Sequence, residues 1–220
     1  YENNLPCFNS CSIGSMLFRI PQLAEHFIVF NDDTFLMRNT TPNDFFIDNY
    51  PIIRGSWKKF DENRTLRKLF HRLLSLLGKS KQKNQVGFKN FQQNSAKLAK
   101  AKKYVRRFHT PVSIRKSTLE NFFKDNNLLE KNTVYRFRNK KQFIISSLSE
   151  HLEIMNNSYH YKSNTQLTYF RSYKSHNIVK LKLYLFEINR KKLFMTFQSL
   201  ELAKTKTIQN IFSWISKRIS

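Results

Sequence analysis

An α/β layered domain is the fold class this sequence predicts, and three observations carry it. Short apolar runs suited to strands, such as "HFIVF" and "KLFMTFQS", alternate with stretches of helical periodicity, such as "KKQFIISSLSEHLEIM". Apolar residues make up 40% of the 220, and the 21 Phe supply a bulky core. No internal repeat divides the chain, whose length suits one large domain spanning 1–220.

From the N-terminus, "SIGSMLFRIPQLAE" reads as a short helix that ends or bends near Pro21. "HFIVF" reads as a buried strand with Asn31, Asp32 and Asp33 at its C-terminal end, where open α/β sheets form their ligand crevices. "TTPNDFFIDNYP" reads as a loop with two prolines and two Asp-containing turns. In "DENRTLRKLFHRLLSLLG", Leu66, Leu69, Phe70, Leu73, Leu74 and Leu77 hold helical spacing, with Asp61 as N-cap and Gly78 as C-cap. Its other side carries Arg64, Arg67, Lys68, His71 and Arg72, either as a solvated face or for docking onto an anionic membrane surface. "NSAKLAKAKKYVRR" is helix-prone and very basic, so that about 57–104 forms a basic helical insertion. Ser117 and Glu120 make a capping box opening a helix that carries Leu119, Phe122 and Phe123. "TVYRFRN" reads as a strand, and the helix after it buries Phe143, Ile144, Leu148 and Leu152. "IVKLKLYLFEI" alternates as a strand does, "KLFMTFQS" is a further strand, and a closing helix buries Ile208, Ile211, Phe212 and Ile215.

Composition narrows the function classes. Four glycines argue against a Gly-rich phosphate loop, and no run approaches the roughly 18 apolar residues of a membrane span. The chain starts at Tyr1 without a basic-then-apolar leader and is read as a fragment whose start lies upstream. Cys7 and Cys11, without a second pair, read as ordinary reduced thiols in a cytosolic setting. The net charge of +24 is uneven. Residues 1–56 carry 3 Lys/Arg against 6 Asp/Glu, 57–141 carry 24 against 5, and 142–220 carry 12 against 4. Such a basic middle attracts polyanions: nucleic acid, anionic lipid or a phosphate-rich substrate.

Some residues are suited to chemistry. Adjacent carboxylates fit the loop just past a strand, where Asp32 and Asp33 can hold a Mg2+ bridging diphosphate oxygens, or one of them can accept a proton from an attacking hydroxyl. On pattern alone a strand-ending turn explains them as well. His109, before Thr-Pro, can act as acid, base or phosphate ligand, although a packed histidine fits the same pattern. Arg136 and Arg138, two apart on an expected strand, share a face and can clamp a phosphate or simply be exposed there. The remaining histidines make no metal-ligand spacing.

In combination, "CFNSCSIGSMLFRIPQLAEHFIVFNDDTFLMR", "FHTPVSIRKSTLE", "YRFRNKKQF" and "MTFQSLELA" resemble, in this order, the Stealth family of sugar-1-phosphate transferases, and within it the bacterial capsular polysaccharide phosphotransferases. Its second conserved region is similar to about Leu5–Phe46, its third to about Val105–Leu152, and its fourth loosely to Leu193–Ala203. The first region, of the type "D-x-V-x-T-W-V-[DN]-G", is expected upstream of Tyr1 and contributes to the nucleotide-sugar site.

The resemblance implies a Rossmann-like layered sheet with flanking helices, lacking its first N-terminal strand. It implies that a UDP-sugar donates hexose-1-phosphate to a sugar hydroxyl of a growing polysaccharide. It also implies Mg2+ as cofactor. The two thiols fit a cytoplasmic enzyme, and the basic middle fits either an anionic, phosphate-linked polymer product or a peripheral place on the inner face of the plasma membrane. Asp32 and Asp33 match the family's paired aspartates, as base or as metal ligands. Arg138, with Arg136 beside it, matches the residue that binds the transferred phosphate, and His109 the residue that stabilises or protonates it. Asn9, Arg19 and Asn31 match polar positions that shape the site. The chain departs from the family's "N-S-H-A-I-E" at Cys11 and Gly14, and "TFQSLELA" lacks an acidic metal-binding motif. The other readings are a basic nucleic-acid-binding protein, which no recognised motif supports, and a membrane-binding module without catalysis.

Overall fold

The computed structural model describes residues 2–63, 87–163 and 165–219. The helix expected over 61–77 falls mostly outside them; only its first turn, Asp61–Asn63, is described, as a 3-10 turn. The chain is mixed α/β, as the sequence predicts, with its strands divided among four sheets of two or three strands among the described residues. It forms two compact units, one of Tyr1–Val29, Phe45–Arg107 and Val112–Ser163, the other of Phe30–Asp44, Phe108–Pro111 and Asn164–Ser220.

The first unit opens with α1 (Ser10–Ser15) and a 3-10 turn, Leu17–Arg19, that stops before Pro21. β1 (His26–Val29) pairs antiparallel with β7 (Val112–Arg115), from His26 opposite Arg115 to Val29 opposite Val112. β1 is half-buried, not the buried strand expected, because β7 is its sole sheet partner among the described residues. The expected loop at 40–51 contains a hairpin, β3 (Phe46–Ile47) and β4 (Tyr50–Arg54). Asp48 and Asn49 turn it with φ of 49° and 65°, the left-handed pair that a two-residue hairpin loop requires and that Asp and Asn tolerate. β4 also pairs in parallel with β8 (His160–Lys162), and β5 (Ser56–Lys58) pairs antiparallel with β6 (Tyr104–Arg106).

Around these strands lie α2 (Phe88–Leu98), α3 (Lys116–Phe123), α4 (Leu128–Thr133) and α5 (Ile145–Met155). "NSAKLAKAKKYVRR" therefore splits: the helix stops at Leu98, Lys100 takes a left-handed φ of 59°, and Tyr104 starts a strand. Phe18, Val112, Ile114, Leu119, Phe123, Leu129, Phe143, Ile145 and Leu148 form the unit's main apolar core. The expected capping box on α3 is replaced. Glu25 accepts from both the backbone N–H and the hydroxyl of Ser117, so an acid from a distant segment does the capping.

α5 also buries charge. Glu150 pairs with Arg107 at 3.1 Å, and burial pushes its carboxyl up to about 7 against the pull of Arg107. His151 is fully buried; its Nδ1 donates to Ser147 O (2.6 Å) and its Nε2 accepts from Val105 N (3.0 Å), so the neutral ring fits. Burial accordingly lowers its pKa to about 4. The unfolded chain takes up this proton near pH 6.5 and the folded one only near 4, so the stability His151 supplies is complete above 6.5 and drains away as pH falls to 4. That span is worth about 3 kcal/mol. Glu150, with its pKa raised, acts in the opposite sense between pH 7 and 4.5. In urea unfolding, His151→Gln is expected to be less stable than the parent at pH 7.5, with the gap narrowing progressively between pH 6.5 and 4. A constant gap contradicts the neutral buried ring.

The second unit holds a mixed three-stranded sheet. β10 (Phe194–Phe197) lies between β2 (Thr34–Leu36), antiparallel to it, and β9 (Leu167–Phe170), parallel to it. Parallel neighbours need a crossover, and α6 (His176–Ile188) supplies it. This helix corrects the strand expected at 178–188. Its sequence alternates because Val179, Leu183 and Phe186 face the core while apolar residues also occupy the outer side. α7 (Thr205–Ile219) closes the core with Ile211 and Ile215, while Phe212, expected to be buried, is 55% exposed.

Candidate functional site

Asn31–Thr34 forms a turn between β1 and β2, closed by Thr34 N donating to Asn31 O at 3.1 Å. The strand-ending turn is thus real, and it gives the two aspartates different surroundings. Asp32 is exposed, whereas Asp33 is half-buried. His109 Nδ1 lies 2.8 Å from Asp33 Oδ2 and 3.0 Å from Oδ1. Residues 76 apart in the chain therefore form an Asp–His pair inside one unit.

The pair is built into the sheet on both sides. Phe197 N donates to Asp33 O at 3.0 Å, which ties the turn to β10. The carbonyl of His109 accepts from Thr34 Oγ1 and Thr196 Oγ1, each at 2.9 Å, and the two hydroxyls lie 2.9 Å apart. The Tyr169 ring sits 5.9 Å from the His109 ring. Burial, reinforced by the charge on Asp33, pushes the Tyr173 phenol up to about 12, so it stays protonated and donates to Gln198 O at 3.1 Å. Thr34, Thr196 and Tyr169 carry no sequence signal of their own. Thr34 follows the aspartates directly, and Thr196 lies in "MTFQS", but only the pairing of β2 with β10 brings their hydroxyls together.

The chemistry of this arrangement follows from the ring. With Nδ1 held by a carboxylate, the tautomer is fixed and Nε2 is the nitrogen through which the ring can exchange a proton with a substrate. Among the described residues no group of three or more His, Cys, Asp or Glu is placed to hold a metal. Asp32 makes no hydrogen bond or ion pair among the described residues and presents one exposed carboxylate, which suits a Mg2+ that takes most of its ligands from phosphate and water.

The remaining expected residues lie in the first unit. Arg136 and Arg138 are exposed on a bent link between α4 and α5, not on the expected strand. This link is held by side chains in place of a ladder. Asn9 donates to Tyr135 O (3.1 Å) and Gln142 Oε1 (2.8 Å), and Gln142 Nε2 donates to Ser12 Oγ (3.0 Å) and Asn132 O (2.8 Å). Arg138 Nη2 donates to Ser10 Oγ at 3.0 Å, and Arg136 O accepts from Phe8 N. Asn9 itself is fully buried and caps α1 by accepting from Cys11 N. Its place is structural: it joins α1 to the arginine-bearing link. Arg19 ends the 3-10 turn on the surface. Cys11 is a free, buried thiol pushed up to about 11 by burial, and Cys7 is also free, in keeping with ordinary reduced thiols.

Residues 1–52 match the family model for Stealth protein CR2, conserved region 2, a stretch that includes Asn9, Arg19, Asn31, Asp32 and Asp33. A capsular polysaccharide phosphotransferase of Neisseria meningitidis serogroup B is 44% identical over 68 residues, 31% of this chain and 17% of that protein. An exopolysaccharide phosphotransferase of Lactiplantibacillus plantarum is 52% identical over 48 residues, 22% of this chain and 14% of that protein. A capsular polysaccharide phosphotransferase of Aeromonas hydrophila is 53% identical over 45 residues, 20% of this chain and 12% of that protein. The matched segments thus span less than a fifth of these relatives.

Proposed function

We propose that the chain is part of a polysaccharide phosphotransferase whose acid–base centre is the Asp33–His109 pair. The phosphotransferase names of the relatives support the reaction class, and the 2.8 Å contact between His109 Nδ1 and Asp33 Oδ2 carries the assignment of the pair. The donor is a UDP-hexose and the acceptor a hydroxyl of a growing polysaccharide. The acceptor oxygen bonds to the phosphorus that bears the hexose. The bond from that phosphorus to the bridging oxygen of the diphosphate breaks, and UMP leaves. His109 Nε2 takes the hydroxyl proton, and Asp33 holds the resulting imidazolium.

Asp32 would hold Mg2+, which when bound supplies charge neutralisation at the diphosphate. Such chemistry depends on alignment and charge more than on covalent help. Arg138 and Arg136, exposed in the first unit, are the cations suited to binding a substrate phosphate; removal of one charge-assisted hydrogen bond is worth about 1.5–3 kcal/mol. Arg138→Ala is accordingly expected to raise the KM for a phosphate-bearing substrate by about ten- to a hundredfold. Enzyme produced from the complete gene, given UDP-hexoses, Mg2+ and an oligosaccharide primer, is expected to release UMP and leave a phosphodiester on the primer. No UMP from any UDP-hexose overturns this reading.

A further inference from the structure

α6 is apolar on two sides. Val179, Leu183 and Phe186 enter the core of the second unit. On the outer side Ile178, Leu181, Tyr184, Leu185 and Ile188 are each between 51% and 62% exposed. At 3.6 residues per turn these five fill one arc of about 120°, away from the buried arc. A surface helix needs a single apolar stripe, and a second continuous one marks a surface made to be covered.

The surrounding charge indicates what covers it. Exposed Lys180 borders the stripe, exposed Lys174 precedes the helix, and exposed Arg190 and Lys191 follow it. The one carboxylate of the helix, Glu187, is paired with Arg218. Beside the helix, a groove of about 960 Å³ combines apolar lining from Leu185 and Ile188 with cationic lining from Arg190 and Lys191. Large apolar side chains within a rim of unopposed cations are the composition of a helix lying in the headgroup layer. No helix among the described residues is long and apolar enough to cross a membrane.

We propose that the outer face of α6 lies on an anionic lipid surface, with its five apolar side chains inserted and the flanking Lys and Arg on the headgroups. This does not depend on the phosphotransfer reading, and the 62–77 segment is not needed for it. The test uses the 220-residue chain with phosphatidylglycerol-containing and pure phosphatidylcholine vesicles, at low and high salt. The parent is expected to sediment with the anionic vesicles and to keep part of that binding at high salt, where charge alone is screened. Leu181→Ser, Leu185→Ser and Ile188→Ser combined, all at exposed positions, are expected to lower partitioning by at least about tenfold with an unchanged thermal melt. Tyr184→Trp is expected to add a fluorescence component that shifts to the blue on anionic vesicles only. Equal binding by parent and triple variant overturns the proposal. So does self-association that the triple variant abolishes without any change in vesicle binding, which would give this face to a second copy of the chain.

Discussion

Asp33→Asn is expected to lower kcat by about 100- to 10,000-fold, the range set by losing the carboxylate that orients the general base and holds its charge. The change keeps the side chain's size, and the turn is fixed by backbone contacts, with Phe197 N on Asp33 O and the Thr34 and Thr196 hydroxyls on His109 O. The fold should therefore persist while the imidazolium loses its counter-charge. Asp32→Asn should behave differently. Asp32 is exposed and outside the His109 contact, so its loss is expected to weaken Mg2+ binding and to be restored by raising Mg2+. Rates measured across Mg2+ concentrations separate the two: recovery for Asp32→Asn, none for Asp33→Asn.

Glu153→Ala is expected to be the most damaging single change to the first unit. Glu153 is fully buried and binds Arg115 through two contacts, Nε at 2.9 Å and Nη2 at 2.6 Å. It also accepts from the hydroxyls of Thr118 and Ser158. One side chain thus ties α3, β7 and the segment after α5 together. Truncating it strands the Arg115 charge and two hydroxyls, and the removal of one partner from such a pair costs about 3 kcal/mol or more. Urea unfolding of parent and variant at neutral pH measures the loss; a difference below about 1 kcal/mol would mean that water replaces the carboxylate.

The sequence makes the helices with one apolar side legible, and the site only in pieces. α5 and α7 stand out by period, and β10 by its run of bulky residues. α6 does not, because apolar residues on both sides erase the helical period and leave an alternation that resembles a strand. The 134–139 link misleads for a different reason. Tyr135 and Phe137 favour strands, but the link pairs with no strand among the described residues; Arg136 O accepts from Phe8 N, and Tyr135 O accepts from the side chains of Asn9 and Ser12, partners that no local pattern reveals. Asp33 and His109 were each ambiguous alone, the one a turn former and the other a common packed residue. Their meeting depends on antiparallel β2–β10 pairing and on two threonine hydroxyls, one of them 87 residues away from His109, which is tertiary information.

The central claim is that Asp33 and His109 act as one unit. The most direct test is a double-mutant cycle on turnover, with Asp33→Asn, His109→Ala and both together, in enzyme produced from the complete gene. Residues that act as a unit are non-additive. The expected result is that each single change removes nearly all activity and that the double variant is hardly slower than His109→Ala alone. Losses that multiply, or turnover in Asp33→Asn close to that of the parent, would contradict the account.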